Sequence, residues 1–227
     1  MRFVWFFVSL ALLSGCRQEE RGQRGETAVA APASAAASPA PPDSRPVISC
    51  FGDSLTAGFG LDPGQSFPDL LQHDLDQRGF RYRVANLGVS GDTTQDGVGR
   101  LPQLLAEKPV LVLLELGAND GLRGLPVSLT RSNLEQIVVA AQGAGAKVVL
   151  AGMTLPPNYG PEYIPQFEAV FRDLAAKHKL ALIPFLLAGA GGNAALMQKD
   201  GLHPNAEGTR RVEETVRKAV QPWLKQP

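Results

Sequence analysis

The chain has 227 residues, with 22 basic and 22 acidic side chains and therefore no formal net charge. That balance gives no electrostatic reason for a nucleic-acid partner, and an apolar content of 44% is ordinary for a globular protein. The length suits one domain with appendages, or at most two small domains.

Residues 1–15 read as a signal peptide. Arg2 supplies a positive n-region, and Phe3 to Leu13 is an apolar stretch too short to span a bilayer. It runs into Leu13-Ser14-Gly15-Cys16, which resembles the bacterial lipobox. In proteins with that motif the cysteine becomes the lipidated first residue of the mature chain. An ordinary secretory signal that contains a cysteine is the other reading. Acyl chains on Cys16 would hold the domain to a membrane. The resemblance implies a lipoprotein of the bacterial cell envelope facing the periplasm. Arg17, where Asp would signal retention in the inner membrane, favours the outer one. With Cys16 acylated, Cys50 has no partner for a disulfide and reads as a small core residue in an apolar run. Residues 16–45 form an Ala/Pro/Ser-rich linker expected to stay extended, and residues 46–227 the folded domain.

From Val47 onward strand and helix patterns alternate. Val47 to Phe51 is an apolar run that stops at Gly52-Asp53-Ser54, as a buried strand does at a turn. Ser66 caps an expected helix to about Arg78, and Arg81 to Asn86 reads as a second strand. A helix is expected over 94–107, irregular at Pro102, followed by an apolar central strand over 110–116. Leu134, Ile137, Val138 and Ala141 mark a helix over 128–142, and residues 148–151 a fourth strand. Phe167, Val170, Phe171 and Leu174 mark a helix over 164–177, and 181–185 is a short fifth strand. The last helix, 206–224, is expected to bury Val212, Val216, Val220 and Trp223. This alternation predicts a single α/β domain with a doubly wound parallel sheet.

Chemistry-bearing residues gather at the predicted strand ends. Ser54 sits just past the first strand, where ligands bind in open α/β sheets. Gly52, Asp53 and Ser54 also suit a plain turn and helix cap. Of the three histidines, His73 reads as a surface residue and His178 as a structural or capping one at a helix end. His203 lies three residues after Asp200 in a loop stiffened by Pro204. A D-x-x-H turn lets the carboxylate reach its own imidazole and leaves Nε2 free to take a proton, although local hydrogen bonding alone would use the same spacing. No metal-ligand pattern is visible. Two further loops, 86–93 and 117–121, are rich in Gly, Asn and Asp and suit either turns or donors to a developing oxyanion.

Taken together, Gly52-Asp53-Ser54-Leu55, Gly91 in S-G-D-T-T, Gly117-Ala118-Asn119-Asp120 and Asp200-Gly201-Leu202-His203 resemble the four blocks of the GDSL, or SGNH, hydrolases. The likeness spans nearly all of 47–224 and leans toward the thioesterase, lysophospholipase and arylesterase branch. It implies the flavodoxin-like three-layer α/β/α sandwich of that family, with a five-stranded parallel sheet. It also implies Ser54 as nucleophile, His203 as general base and acid, and Asp200 as its orienting carboxylate. The oxyanion hole would be the N–H groups of Ser54 and Gly91 with the amide of Asn119, while Asp53 and Asp120 organise their loops. Ala118 departs from the glycine common in relatives and is expected to be tolerated unless the loop needs positive φ. Thr56 stands where the α/β-hydrolase elbow has glycine, so that architecture is not expected.

The implied activity is a serine esterase acting on acyl, aryl or lysophospholipid esters and on thioesters, monomeric and without metal or cofactor. Residues 155–163 resemble the family's substrate loop, with Leu155, Pro156 and Tyr159 as candidate walls of an acyl groove; a proline-rich surface loop is the other reading. A carbohydrate O-acetylesterase is the second reading, although two Trp and three Tyr leave little for sugar stacking. An anchored, non-catalytic binding module is the third.

Overall fold

In a computed structural model, which describes residues 43–226, the apolar run after Pro46 becomes strand β1 (Val47–Gly52), buried along its whole length. The signal peptide, Cys16 and all of the linker up to residue 42 lie outside the described residues. Strands β2 (Arg83–Gly88), β3 (Leu111–Glu115), β4 (Lys147–Ala151) and β5 (Ala181–Ile183) join β1 in one parallel sheet, ordered β2-β1-β3-β4-β5. This is the doubly wound order whose direction of winding reverses between β1 and β3. β1 and β3 have neighbours on both edges and helices over both faces, which is why they are apolar without alternation.

Helix α2 (Phe67–Gln77) starts at a capping box: the Ser66 side chain accepts from the Asp69 N–H, and the Asp69 carboxylate accepts from the Ser66 N–H. It packs against α8 (Ala206–Val220). On the other face α3 (Thr94–Gly99) packs on α6 (Val127–Gly143), and α6 on α7 (Tyr163–His178). The stripes read from the sequence are the buried ones: Leu134, Ile137 and Val138 on α6, Phe167 and Phe171 on α7, Val212 and Val216 on α8. Each such side chain adds roughly 1.5–3 kcal/mol of burial energy.

The differences from expectation have local causes. The helix expected over 94–107 is two, α3 and α4 (Leu101–Ala106), broken at Arg100 because Pro102 suits a first turn and no interior position. Pro184 ends β5 at Ile183. Pro222 converts the end of the last helix to a 3₁₀ turn, Gln221–Trp223, and Trp223, expected in the core, is 44% exposed. Two short helices, α1 (Ser54–Ala57) and α5 (Ala118–Leu122), carry too few residues to show a period. No described helix is long and apolar enough to cross a membrane.

Gly88 fixes how closely β2 approaches α1, because a Cβ there would overlap the backbone of Thr56 and Ala57. Backbone cannot step aside as a side-chain tip can. Gly88→Ala is expected to cost about 2–3 kcal/mol and to lower the Tm by roughly 4–12 °C. Thermal unfolding followed by circular dichroism checks this, and an unchanged Tm would mean that the contact is looser than described.

Candidate active site

Four loops at the carboxyl edge of the sheet meet beside the point where the strand order reverses. Ser54 follows β1 and opens α1. Asp53 caps that helix, its Oδ1 accepting the Leu55 N–H at 3.0 Å. The Ser54 hydroxyl is left 2.8 Å from His203 Nε2, and His203 Nδ1 lies 2.7 Å from Asp200 Oδ2. The D-x-x-H spacing works through the turn itself: Asp200 Oδ1 accepts the N–H groups of Leu202 and His203 at 2.9 and 3.0 Å. Gly201, with φ of 69°, allows the bend. The Gln198 N–H donates to the His203 carbonyl at 2.7 Å, and Met197 bridges to Pro204, so both flanks of the histidine are pinned. The Phe59 ring lies 4.7 Å from the imidazole, centre to centre.

Electrostatics agree with this geometry. Desolvation alone would raise the Asp200 pKa, but the His203 N–H, the imidazole and the Leu202 N–H outweigh it and hold the carboxyl down at about 2. Asp200 is therefore a carboxylate throughout the neutral range. It accepts from Nδ1–H and leaves Nε2 as the acceptor facing Ser54.

Gly91, with φ of 88°, has its carbonyl held by Arg123 Nη2 at 2.8 Å. Among the described residues no protein acceptor takes the N–H of Gly91 or of Ser54. Asn119 lies in α5, and its Nδ2 donates to the Asp92 carbonyl at 2.9 Å and to Asp53 Oδ2 at 3.1 Å. These bonds aim the amide and engage both of its hydrogens. Gly117, with φ of 118°, takes the left-handed position at the start of this loop, so Ala118 is free of that demand. Asp120 is buried and does not line the cavity: Oδ2 accepts the Thr94 N–H at 2.8 Å and Oδ1 the Thr94 hydroxyl, which ties α5 to α3.

Ser54, Gly91, Asn119 and His203 line one cavity of about 600 Å³, together with Leu155 and Pro156. Its remaining walls are mainly apolar, among them Met153, Phe185 and Leu187. Tyr159 is not a lining residue. Its hydroxyl donates to the Leu122 carbonyl at 2.7 Å, so it pins the segment that carries Pro156. His73 and His178 lie elsewhere, bonded to Gln77 at 2.8 Å and to Glu135 at 2.7 Å. Cys50 is buried and, among the described residues, free, and burial raises its thiol pKa out of the reactive range.

Two supporting residues escaped the sequence reading. Arg100, at the break between α3 and α4, donates to the carbonyls of Leu87 (2.9 Å) and Gly52 (3.1 Å) and pairs with Asp92 at 2.6 Å. Its guanidinium lies 4.5 Å from the centre of the Phe51 ring. Glu115, the last residue of β3, is fully buried beneath Ser54's turn. An arginine at a helix break and a glutamate ending an apolar strand carry no pattern of their own.

A family model of GDSL-like lipases and acylhydrolases matches residues 50–211. The chain is 48% identical over 174 residues to esterase TesA of Pseudomonas aeruginosa, covering 76% of this chain and 87% of that protein. It is 38% identical over 175 residues to thioesterase 1/protease 1/lysophospholipase L1 of Escherichia coli K12, covering 77% and 83%. A solved structure of TesA superposes with a TM-score of 0.76 at 47% identity, covering 78% of this chain and 99% of that one.

Arg100 and Asp92 are each less than a fifth exposed, so removing the guanidinium strands a carboxylate and two carbonyls. Arg100→Met is expected to cost about 3 kcal/mol and to lower kcat as the loops of Gly52 and Asp92 loosen. Denaturant unfolding with ester hydrolysis on the same sample tests both halves.

Proposed function

The chain belongs to the GDSL-like lipase/acylhydrolase family and is an ester hydrolase, and from that premise we propose that it is a serine esterase working through Ser54, His203 and Asp200. The observation that carries the reading is the unbroken hydrogen-bond chain Ser54–His203–Asp200 opening into an apolar cavity. Ser54 Oγ attacks the acyl carbonyl while His203 Nε2 takes its proton. The developing oxyanion is met by the N–H groups of Ser54 and Gly91 and the Asn119 amide. Collapse breaks the C–O bond, His203 returns the proton to the leaving alcohol, and an acyl-Ser54 ester remains. Water, deprotonated by the same imidazole, then releases the acid and restores the serine. Every group named comes from one chain, so the reading needs no second copy.

The cavity walls favour an apolar acyl group over a sugar. We read the substrates as carboxylic esters with an aliphatic or aryl portion, lysophospholipids among them, and thioesters as chemically competent. Acylation of Cys16 would anchor the enzyme in the cell envelope on the periplasmic side, with the outer membrane favoured. Outside the cytoplasm it would meet little acyl-CoA, which places oxygen esters nearer the physiological target. Metabolic labelling with a fatty-acid analogue tests the anchor: the full chain is expected to be labelled and to fractionate with membranes, and Cys16→Ala to do neither.

For the chemistry, Ser54→Ala is expected to lower kcat by roughly 10⁴–10⁶, and Asn119→Ala by about 10²–10³. A series of p-nitrophenyl esters from acetyl to palmitoyl is expected to show kcat/KM rising with chain length. Turnover confined to acetyl would instead favour the carbohydrate deacetylase. A folded protein with no turnover and no fluorophosphonate labelling of Ser54 would leave a binding module.

A further inference from the structure

Glu115 is not among the reacting groups, yet its surroundings are those of a designed position. Strand register sets it beside Gly52, with Gly88 on that residue's other side. Its carboxyl group and the Thr56 hydroxyl occupy the space a Cβ on Gly52 would need. One oxygen, Oε2, accepts the Thr56 hydroxyl at 2.7 Å and the Asp53 N–H at 3.1 Å. The other, Oε1, is buried with no donor. No cation pairs with Glu115 among the described residues. Arg100, whose guanidinium reaches the Gly52 carbonyl of the same turn, is spent on Asp92 and on two carbonyls.

The neighbouring groups that titrate are Asp53 and Cys50 from β1 and its turn, with His203 beyond Asp53. Two carboxylates side by side, buried and without a cation, are far too costly to persist. Burial first, and then the charge of Asp53, raise the Glu115 pKa well above the carboxylate range. Burial pushes Asp53 up to about 6, against the Leu55 N–H, a side-chain hydrogen bond with Glu115, the charge of His203 and the Asn119 amide. Burial and like charge thus favour one proton shared by the pair, and an O–H on Glu115 would supply the side-chain hydrogen bond that lowers the Asp53 pKa. Asp53 in turn caps α1 through Leu55 and holds the amide of Asn119.

We propose that Glu115 is a positioning residue that acts as a buried neutral acid, linking Thr56, Asp53 and Asn119 into one hydrogen-bonded chain that fixes the Ser54 turn relative to the oxyanion amide. The inference rests on the serine-esterase reading above. It assigns a task to the glutamate of L-E-L-G-A-N-D that neither a strand-end nor a core role requires. A plug that only filled the space under Gly52 would do equally well as a methionine or a leucine.

The test compares Glu115→Gln and Glu115→Met in the full chain. Glutamine keeps the acceptor for Thr56 and Asp53 and a neutral donor for the Asp53 carboxylate, so kcat is expected within about threefold of wild type and KM unchanged. Methionine fills the volume but breaks the chain. Its kcat is expected to fall about 10–100-fold with KM within a factor of two or three, the size expected when a reacting group is displaced by about 1 Å. A folded Glu115→Met with wild-type kcat overturns the proposal, as does a folded Glu115→Gln as impaired as Glu115→Met. Should Glu115→Met not fold, Thr56→Val removes one link alone and is expected to lower kcat severalfold at constant KM; no change overturns the proposal. Fluorophosphonate labelling of wild-type Ser54 separates the two failures. Without labelling the esterase reading fails, whereas labelling with indifferent Glu115 variants sinks this inference alone.

Discussion

The carboxyl end of β1 has to accommodate, in the space of one missing side chain, groups from two other elements. Gly52 leaves room for the Glu115 carboxyl from β3 and the Thr56 hydroxyl from α1, and its carbonyl accepts both the Val89 N–H and Arg100 at 3.1 Å. Any Cβ there would drive β1 and β3 apart at the level of Ser54 and Asn119. The distance between Ser54 and the Asn119 amide is thus set by strand register and close backbone contact, the least deformable features of the fold. The Asp200–His203 turn reaches across from a loop, and it has its own short-range bonds to hold its shape before it meets the serine.

Charge in this site runs in opposite directions at its two ends. Asp200 keeps a folded pKa below its ordinary value, so the stability it adds is present above about pH 4 and is lost as the pH falls toward 2. Asp53 has a folded pKa above its ordinary value. The stability it gives is present below about pH 4 and is lost as the pH rises toward 6. At neutral pH the folded protein therefore carries an ionised Asp53 at a net cost, offset by core burial elsewhere. Functional sites are where such local conflict is expected to persist.

The elements legible in the sequence were those long enough to show a period: the buried strands, and helices α2, α6, α7 and α8. Their ends were less legible, because Pro184 and Pro222 act through single residues that a periodic pattern averages over. Ser54, Gly91, Asn119, Asp200 and His203 lie in short motifs, and motifs survive in a linear reading because their spacing is local. Glu115 and Arg100 do not. One reads as the polar end of an apolar strand and the other as a charge beside a proline. Only register and the approach of three loops give them partners, and both are tertiary facts. Trp223 shows the opposite error, since its place in a helical stripe was sound until Pro222 ended the helix before it.

The same contrast separates chemistry from substrate choice in this chain. Ser54 and Asn119 stand just past the ends of β1 and β3, whose register leaves them little freedom, and His203 is held by the bonds of its own turn. The apolar walls come instead from residues scattered among loops, Met153 and Leu155 after β4 and Phe185 and Leu187 after β5. Tyr159 shares that loop, but its hydroxyl is committed to Leu122, so it controls where Pro156 lies and not what the cavity touches. Neighbouring loop residues can change the size of the cavity without disturbing the hydrogen bonds around Gly52. A fold organised in this way can vary its acyl preference by substitution at positions that carry no motif, while the constraint at the end of β1 holds the reaction itself in place.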